Sequence, residues 1–121
     1  MSREIKFRAW IPKELESGEY EVEYEMCYDL AFEDYEPIND LLNNQKNLMQ
    51  YTGFIDKDGV EIYESDIIKT DYGNMEVAFD NRKGCWSLCN QDFQMWSFNV
   101  DFTKKEVISN IFKNPELLIN K

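Results

Sequence analysis

The most informative stretch of the sequence is LMQYTGFIDKDGVEIYESDII, residues 48–68. Two apolar runs, 48–55 and 60–63, lie on either side of the four residues DKDG at 56–59. An Asp-Gly pair between apolar runs is a strong signal for a β-hairpin. The stretch therefore predicts two antiparallel strands that are joined by a tight turn.

The acidic residues in and after this turn also resemble the start of a calcium loop. A calcium loop needs further oxygen ligands and a Glu at its twelfth position, and Gly59 is misplaced for it. No calcium site is predicted for this reason. We expect the acids of the stretch to form a solvated turn and strand face; they are Asp56, Asp58, Glu61, Glu64 and Asp66.

Outward from the hairpin, short apolar runs alternate with turn signals along most of the chain. Such closely spaced turn signals indicate a mainly β (α+β) fold, a meander or small barrel of short antiparallel strands. Further strands are predicted at 5–11, 19–28, 67–70, 75–80, 85–88, 94–102 and 107–112. The alternation in 94–102 would place Trp96, Phe98, Val100 and Phe102 on one face. One or two short helices are predicted, at 37–46 and from Asn114 as cap with Pro115 in first position.

Length and composition fit one folded domain, 1–121. The chain has 121 residues, of which 43% are apolar and 15% aromatic, which is enough for a real core. It holds no run of about 18 apolar residues, so no transmembrane helix is predicted. The N-terminus also lacks the apolar stretch of a signal peptide. We therefore expect the protein to stay in the cytoplasm.

The residue types that most often carry catalysis or bind metals are scarce. The sequence has no His, and its five Gly residues all occur singly, so no phosphate-binding glycine loop is present. Three thiols, Cys27, Cys85 and Cys89, are too few for a tetrahedral zinc site and are interpreted as buried structural residues. The sequence therefore predicts no enzyme activity, no metal and no cofactor.

Negative charge is concentrated in one segment. The net charge is −11, and residues 13–36 hold ten acids and one base, whereas the rest of the chain holds 14 acids and 12 bases. Strand alternation would place four of these acids on one face: Glu19, Glu21, Glu23 and Glu25. The row is interpreted either as a solvated face that protects a sheet edge or as a surface that mimics a phosphate backbone or receives a basic partner protein. Direct binding of nucleic acid is disfavoured because basic residues cluster only at Arg3, Lys6 and Arg8.

Three stretches together resemble a known family. They are IKFRAW at 5–10, the stretch 48–68, and VISNIFKNPELL at 107–118. Their order and content are similar to the YopX-like family of bacteriophage and prophage proteins. The resemblance implies a β-rich fold with a small SH3-like barrel portion and self-assembly into a homo-oligomer, and it carries no catalytic residues.

The sequence departs from the family pattern at Ser65. The pattern usually has Gly before the Asp of its Tyr-Glu-Gly-Asp-Ile motif, and Ser65 stands there. If this turn needs a positive φ, Ser65 should be mildly strained. The acidic segment 13–36 is also longer and more negative than the family usually shows.

These observations predict a phage- or prophage-encoded, non-enzymatic interaction protein that self-assembles. Two alternatives are an acidic nucleic-acid mimic that inhibits a host defence protein of the restriction or CRISPR type, and a sponge for a small signalling nucleotide. No membrane partner is expected. The side chains Met49, Tyr51, Phe54, Trp10, Trp86 and Trp96 are expected to build the core or a subunit interface. Several aromatic side chains on one exposed surface would favour an interface.

Overall fold

Nine antiparallel strands make up most of the described chain. The computed structural model describes residues 5–12, 24–28 and 48–119. The strands are β1 (Phe7–Pro12), β2 (Tyr24–Cys27), β3 (Leu48–Ile55), β4 (Glu61–Tyr63), β5 (Asp66–Thr70), β6 (Gly73–Asp80), β7 (Cys85–Cys89), β8 (Gln94–Trp96) and β9 (Glu106–Asn110). Three 3-10 turns lie at Ser97–Asn99, Phe102–Lys104 and Pro115–Leu118. The predicted mainly β fold of short antiparallel strands is confirmed.

Contacts group the chain into two compact units, and β3 begins in one and continues in the other. In the unit formed by residues 6–50, β1 pairs with β2 on one side and with the start of β3 on the other. Trp10 stacks on Tyr24 across β1 and β2, with ring centroids 6.3 Å apart. The predicted first strand is therefore confirmed. The rest of the acidic strand and the helix predicted at 37–46 lie outside the described residues.

The larger unit contains a five-stranded sheet in the order β8-β7-β6-β5-β9, in which β5 to β8 form a meander and β9 returns to pair with β5. Apolar side chains of neighbouring strands face each other, as in the cross-strand pair Val77 and Leu88, both fully buried. Burial of such pairs drives the sheet to curl around one core. The buried core residues are Ile62, Ile68, Met75, Val77, Trp86, Leu88 and Phe102. The predicted meander is confirmed here.

The hairpin of β3 and β4 forms where the Asp-Gly pair predicts it. Tyr51 pairs with Tyr63 and Ile55 with Glu61, and the register shifts between these pairs. Gly53 lies in the shifted part with φ 89, a conformation that glycine adopts without strain. The expectation that the acids of this region are all solvated is wrong, because Asp56 and Asp66 are only 3% and 2% exposed. Each accepts backbone N–H bonds, which offset the cost of burying a carboxylate.

The strand predicted at 94–102 is wrong beyond Trp96. After β8 the chain forms two 3-10 turns, and Phe102 is 3% exposed whereas Phe98 is 69% exposed. The Asp101 carboxylate accepts a hydrogen bond from the Thr103 backbone N–H, which holds the second turn. Local side-chain bonds of this kind compete with a strand ladder. Alternation of aromatic residues alone therefore overstated the strand.

The predicted C-terminal helix is a single 3-10 turn at Pro115–Leu118. Pro115 stands at its start, as expected. The side chain of Asn114 does not cap the turn, which corrects the prediction. Its Nδ2 donates to Glu116 Oε1 and its Oδ1 accepts from Ser109 Oγ.

The predicted strain at Ser65 is present. Ser65 has φ 73, and it is the one non-glycine residue in the described ranges with a positive φ. Its backbone is bound on both sides, since its N–H donates to Val77 O at 2.8 Å and its carbonyl accepts from Ile111 N at 3.0 Å. The surrounding strands therefore hold the residue in the left-handed region, which costs a residue with a Cβ about 1–2 kcal/mol.

Replacing Ser65 by Gly is expected to raise the free energy of unfolding by about 0.5–1 kcal/mol. Relief of the left-handed strain exceeds the extra entropy that glycine has in the unfolded chain. Denaturant titration measures the change. Ser65→Ala is the matched control, because alanine keeps the strain and should not stabilise. Equal stability of the two variants would contradict the argument.

Candidate interaction surfaces

Two aromatic side chains meet on the surface at one end of the meander. Tyr72 lies in the turn between β5 and β6, and Phe93 lies in the turn between β7 and β8. Their ring centroids are 5.0 Å apart, yet the residues are 52% and 48% exposed. We call this pair the turn cluster. Adjacent exposed aromatic rings are the side chains that most often anchor protein interfaces.

Hydrogen bonds within the turns fix the position of the turn cluster. Asn90 links the two turns, because its Nδ2 donates to Tyr72 O at 3.0 Å and its Oδ1 accepts from Phe93 N at 2.8 Å. Tyr72 N donates to Thr70 Oγ1 at 3.1 Å, which holds the other turn. The two rings are thus presented by ordered backbone, which lowers the entropy lost on binding.

A hollow of about 250 Å³ lies beside Tyr72. Its apolar lining comes from Met95 and Val100, and its charged lining includes Lys104 and Lys105. Lys104 Nζ lies 4.0 Å from Asp101 Oδ2, an exposed pair that adds little stability. Hydrogen bonds from Thr103 lower the pKa of the Asp101 carboxyl. An apolar centre with a charged rim is the usual composition of a protein interface.

A second surface feature, the aromatic cleft, has a volume of about 380 Å³. Its lining residues are Thr52, Gly53, Phe54, Phe79, Gly84, Cys85, Trp86 and Ser97. The Phe79 ring meets the Trp86 ring edge to face at 5.2 Å and is itself 43% exposed. Trp86 is 5% exposed, and its Nε1 has no hydrogen-bond partner among the described residues. A buried donor without an acceptor costs free energy in the unliganded protein.

One ring contact and one hydrogen bond anchor lining residues of the cleft to the core. Phe54 stacks on Phe102 at 4.6 Å, and Thr52 Oγ1 donates to Ile62 O at 2.7 Å. Built Cβ atoms at Gly53 and Gly84 would meet nothing within 4 Å, so no neighbouring group fills these positions. The cleft is therefore open at both glycines.

The turn before Gly84 carries a small charged group. Trp96 Nε1 donates to Asp80 Oδ2 at 2.7 Å, and Lys83 Nζ lies 5.1 Å from the Trp96 ring centroid. The bond from Trp96 and the backbone bonds from Lys83 and Arg82 hold the pKa of Asp80 below its ordinary value. Arg82 and Lys83 are both exposed. The two cations outnumber the one carboxylate in this turn.

The predicted acidic row is only partly described. Glu19, Glu21 and Glu23 lie outside the described residues, and Glu25 is exposed on β2. The predicted placement of these four acids on one strand face therefore stays a prediction.

The sequence did not single out Tyr72 or Phe93. Both stand next to turn-forming residues, Asp71 and Gly73 in one case and Asp92 in the other. A large aromatic residue inside a predicted turn is the sequence feature from which their exposure could have been predicted. Of the three tryptophans, Trp86 is buried, while Trp10 and Trp96 are half-buried.

Two neighbouring ionisable side chains of the larger unit, Cys89 and Glu76, have raised pKa values. No group of three or more potential metal ligands occurs in residues 5–12, 24–28 and 48–119. Burial raises the pKa of the Cys89 thiol, and the nearby carboxylate of Glu76 raises it further. Burial and the charge of Glu64 raise the pKa of Glu76 as well. The raised pKa keeps Cys89 in its protonated thiol form, which is less nucleophilic than a thiolate.

Across the same described segments, no helix is long and apolar enough to span a membrane.

Comparison with known proteins gives a family and a solved structure to which the chain is similar. A family model described as YopX protein matches residues 6–119. The crystal structure of protein EF1440 from Enterococcus faecalis is 24% identical, with 98% of this chain and 100% of that chain covered and a TM-score of 0.48. No curated protein matches the chain.

Proposed function

This chain belongs to the YopX protein family, and we propose that it is a phage- or prophage-encoded interaction protein without enzymatic activity. In this proposal it works in the cytoplasm of the bacterial host and self-associates through the turn cluster. Its partners are proteins, first of all further copies of itself, and neither nucleic acid nor membrane.

The observation that carries the proposal is the exposed but ordered turn cluster. Tyr72 and Phe93 leave about half of their surface in water although Asn90 and Thr70 fix their turns. Removing a large apolar side chain from water contributes about 1.5–3 kcal/mol. The hollow beside Tyr72 offers a second copy an apolar contact, and Lys104 and Lys105 on its rim can pair with acids.

A second copy of the chain is a suitable partner for this rim. Residues 13–36 carry ten acids and one base, so each copy brings acids that can meet the lysines of another. The net charge of −11 still makes two copies repel at a distance. Apolar contact at the turn cluster must therefore supply most of the association free energy.

Hydrogen exchange read by mass spectrometry at low and high protein concentration tests where copies meet. Amides of residues 70–74 and 90–95 should exchange more slowly at high concentration, because a second copy covers the two turns. The β6–β7 turn at 81–84 lies at the opposite end of the meander, so it is the internal control and should not change. Unchanged exchange in both aromatic turns at all concentrations would contradict the proposal.

The acidic row supports a second proposal, a nucleic-acid mimic that inhibits a host defence protein. The exposed position of Glu25 on β2 favours it. The same exchange experiment separates the two proposals when a basic partner is added. Slower exchange confined to residues 19–28 would favour the mimic, whereas slower exchange in the two aromatic turns favours self-association.

A further inference from the structure

The surface around the turn cluster carries charges of both signs. An exposed acid directly precedes each of its two aromatic residues in the sequence, and these acids are Asp71 and Asp92. Two cations, Lys104 and Lys105, line the hollow beside Tyr72. The same surface therefore presents acids and lysines around an apolar centre.

These charges are only partly compensated within one copy of the chain. The carboxylates of Asp71 and Asp92 form no ion pair and accept no hydrogen bond from the residues that the structure describes. Lys105 Nζ likewise has no carboxylate oxygen of a described residue within 4.0 Å. Lys104 Nζ lies 4.0 Å from Asp101 Oδ2, but 81% of the Lys104 side chain is exposed. Both signs of charge are therefore available to a second molecule.

A surface with both signs of charge can complement a second copy of itself. An interface with two-fold symmetry uses the same surface on both copies, so that surface must be self-complementary. Here the acids of each copy can face the lysines of the other, whereas the net charge of −11 makes most other approaches of two copies repulsive. Phe93 does not line the hollow of its own chain, so its ring can contact the hollow of the second copy.

We propose that two copies of the chain meet through their turn clusters across a two-fold axis, and that Asp71 and Asp92 of each copy pair with Lys104 and Lys105 of the other. This inference rests on the proposed self-association and names its symmetry and its charged contacts. The acids of segment 13–36 are the alternative partners of these lysines. The two turn acids fit better because they adjoin the aromatic rings, so the contact that buries the rings also brings these acids to the lysines. An interface of this kind closes with two copies, which predicts a dimer.

Charge reversal followed by mixing tests the proposal on the full chain. The acid variant carries Asp71→Lys and Asp92→Lys, and the lysine variant carries Lys104→Glu and Lys105→Glu. In sedimentation velocity, each variant alone should associate about tenfold or more weakly than the native chain, because like charges then face each other across the axis. An equimolar mixture should restore a dimer with one copy of each variant, because opposite charges then meet at every pair. Native mass spectrometry identifies this mixed dimer by its mass.

Arg82→Glu with Lys83→Glu is the matched control, because it changes the net charge as the lysine variant does but lies at the opposite end of the meander. It should dimerise as the native chain does at physiological salt, and denaturation curves verify that each variant is folded. If the native chain assembles but the mixture stays monomeric, the inference is overturned while self-association stands. Loss of assembly in the lysine variant alone would also overturn it and would favour segment 13–36 as the partner. A native chain that is monomeric at every concentration contradicts the proposed function itself.

Discussion

Replacing Asp56 by Asn should lower the free energy of unfolding by about 2–4 kcal/mol, although the change removes only one charge. Asp56 Oδ1 accepts from Asp58 N at 2.8 Å and from Val60 N at 2.9 Å, and Oδ2 accepts from Val107 N at 3.1 Å. An Asn side chain has one acceptor oxygen and must point an N–H group at one of these donors. The variant therefore weakens the hydrogen bonds that close the β3–β4 turn or the one that joins this turn to β9.

The loss of stability caused by Asp56→Asn should become smaller as the pH falls. Burial raises the pKa of the Asp56 carboxyl, but the N–H bonds from Val107, Val60 and Asp58 hold it below the ordinary 3.8. The ionised group therefore stabilises the fold above about pH 4, and this contribution disappears as the pH falls through the lower pKa of the folded state. The stability difference between native chain and variant should narrow in acid.

Urea titration at neutral pH and in acid measures both effects. Asp58→Asn is the matched control, since Asp58 is exposed, and its change should stay within about 0.5 kcal/mol. If Asp56→Asn were as stable as Asp58→Asn at neutral pH, the bonds of Asp56 would not hold the hairpin as described.

Local signals in the sequence predicted the larger part of the fold. The Asp-Gly pair defines its hairpin within a few residues, and β3 runs over Leu48–Ile55 as predicted. The strain at Ser65 was predicted from the resemblance, because the family pattern usually has Gly at that position and glycine adopts a positive φ most easily. The hairpin depends on neighbours in sequence, so the sequence alone predicts it.

Features that depend on neighbours in space could not be predicted. Alternation at 94–102 looked like a strand, but Asp101 bonds to Thr103 and bends the chain away. The burial of Asp56 depends partly on Val107 N, which is far away in sequence. The exposure of Tyr72 and Phe93 follows from two turns meeting at the same end of the meander, which is known only when the strand order is known.

Serine at both Tyr72 and Phe93 should weaken self-association about 100-fold. Two aromatic hot-spot side chains contribute about 1–2 kcal/mol each, and every 1.4 kcal/mol corresponds to a factor of ten in the dissociation constant. Both residues are about half exposed, so the fold should tolerate the change with only the loss of their mutual contact, about 0.5–1.5 kcal/mol. Sedimentation of native and variant chains at matched concentrations measures the difference.

The most direct test of self-association through the turn cluster is sedimentation velocity on the native chain and two double variants. The first variant has serine at Tyr72 and Phe93. The second has serine in place of Ile55 and Val60, two residues of the β3–β4 hairpin that are 44% and 48% exposed. This second change removes exposed apolar side chains away from the turn cluster. Physiological salt screens the repulsion between chains of charge −11. We expect oligomers of the native chain and of the Ile55/Val60 variant at micromolar concentration, and monomers of the Tyr72/Phe93 variant. A native chain that sediments as a monomer, or a Tyr72/Phe93 variant that assembles as the native chain does, would contradict the account.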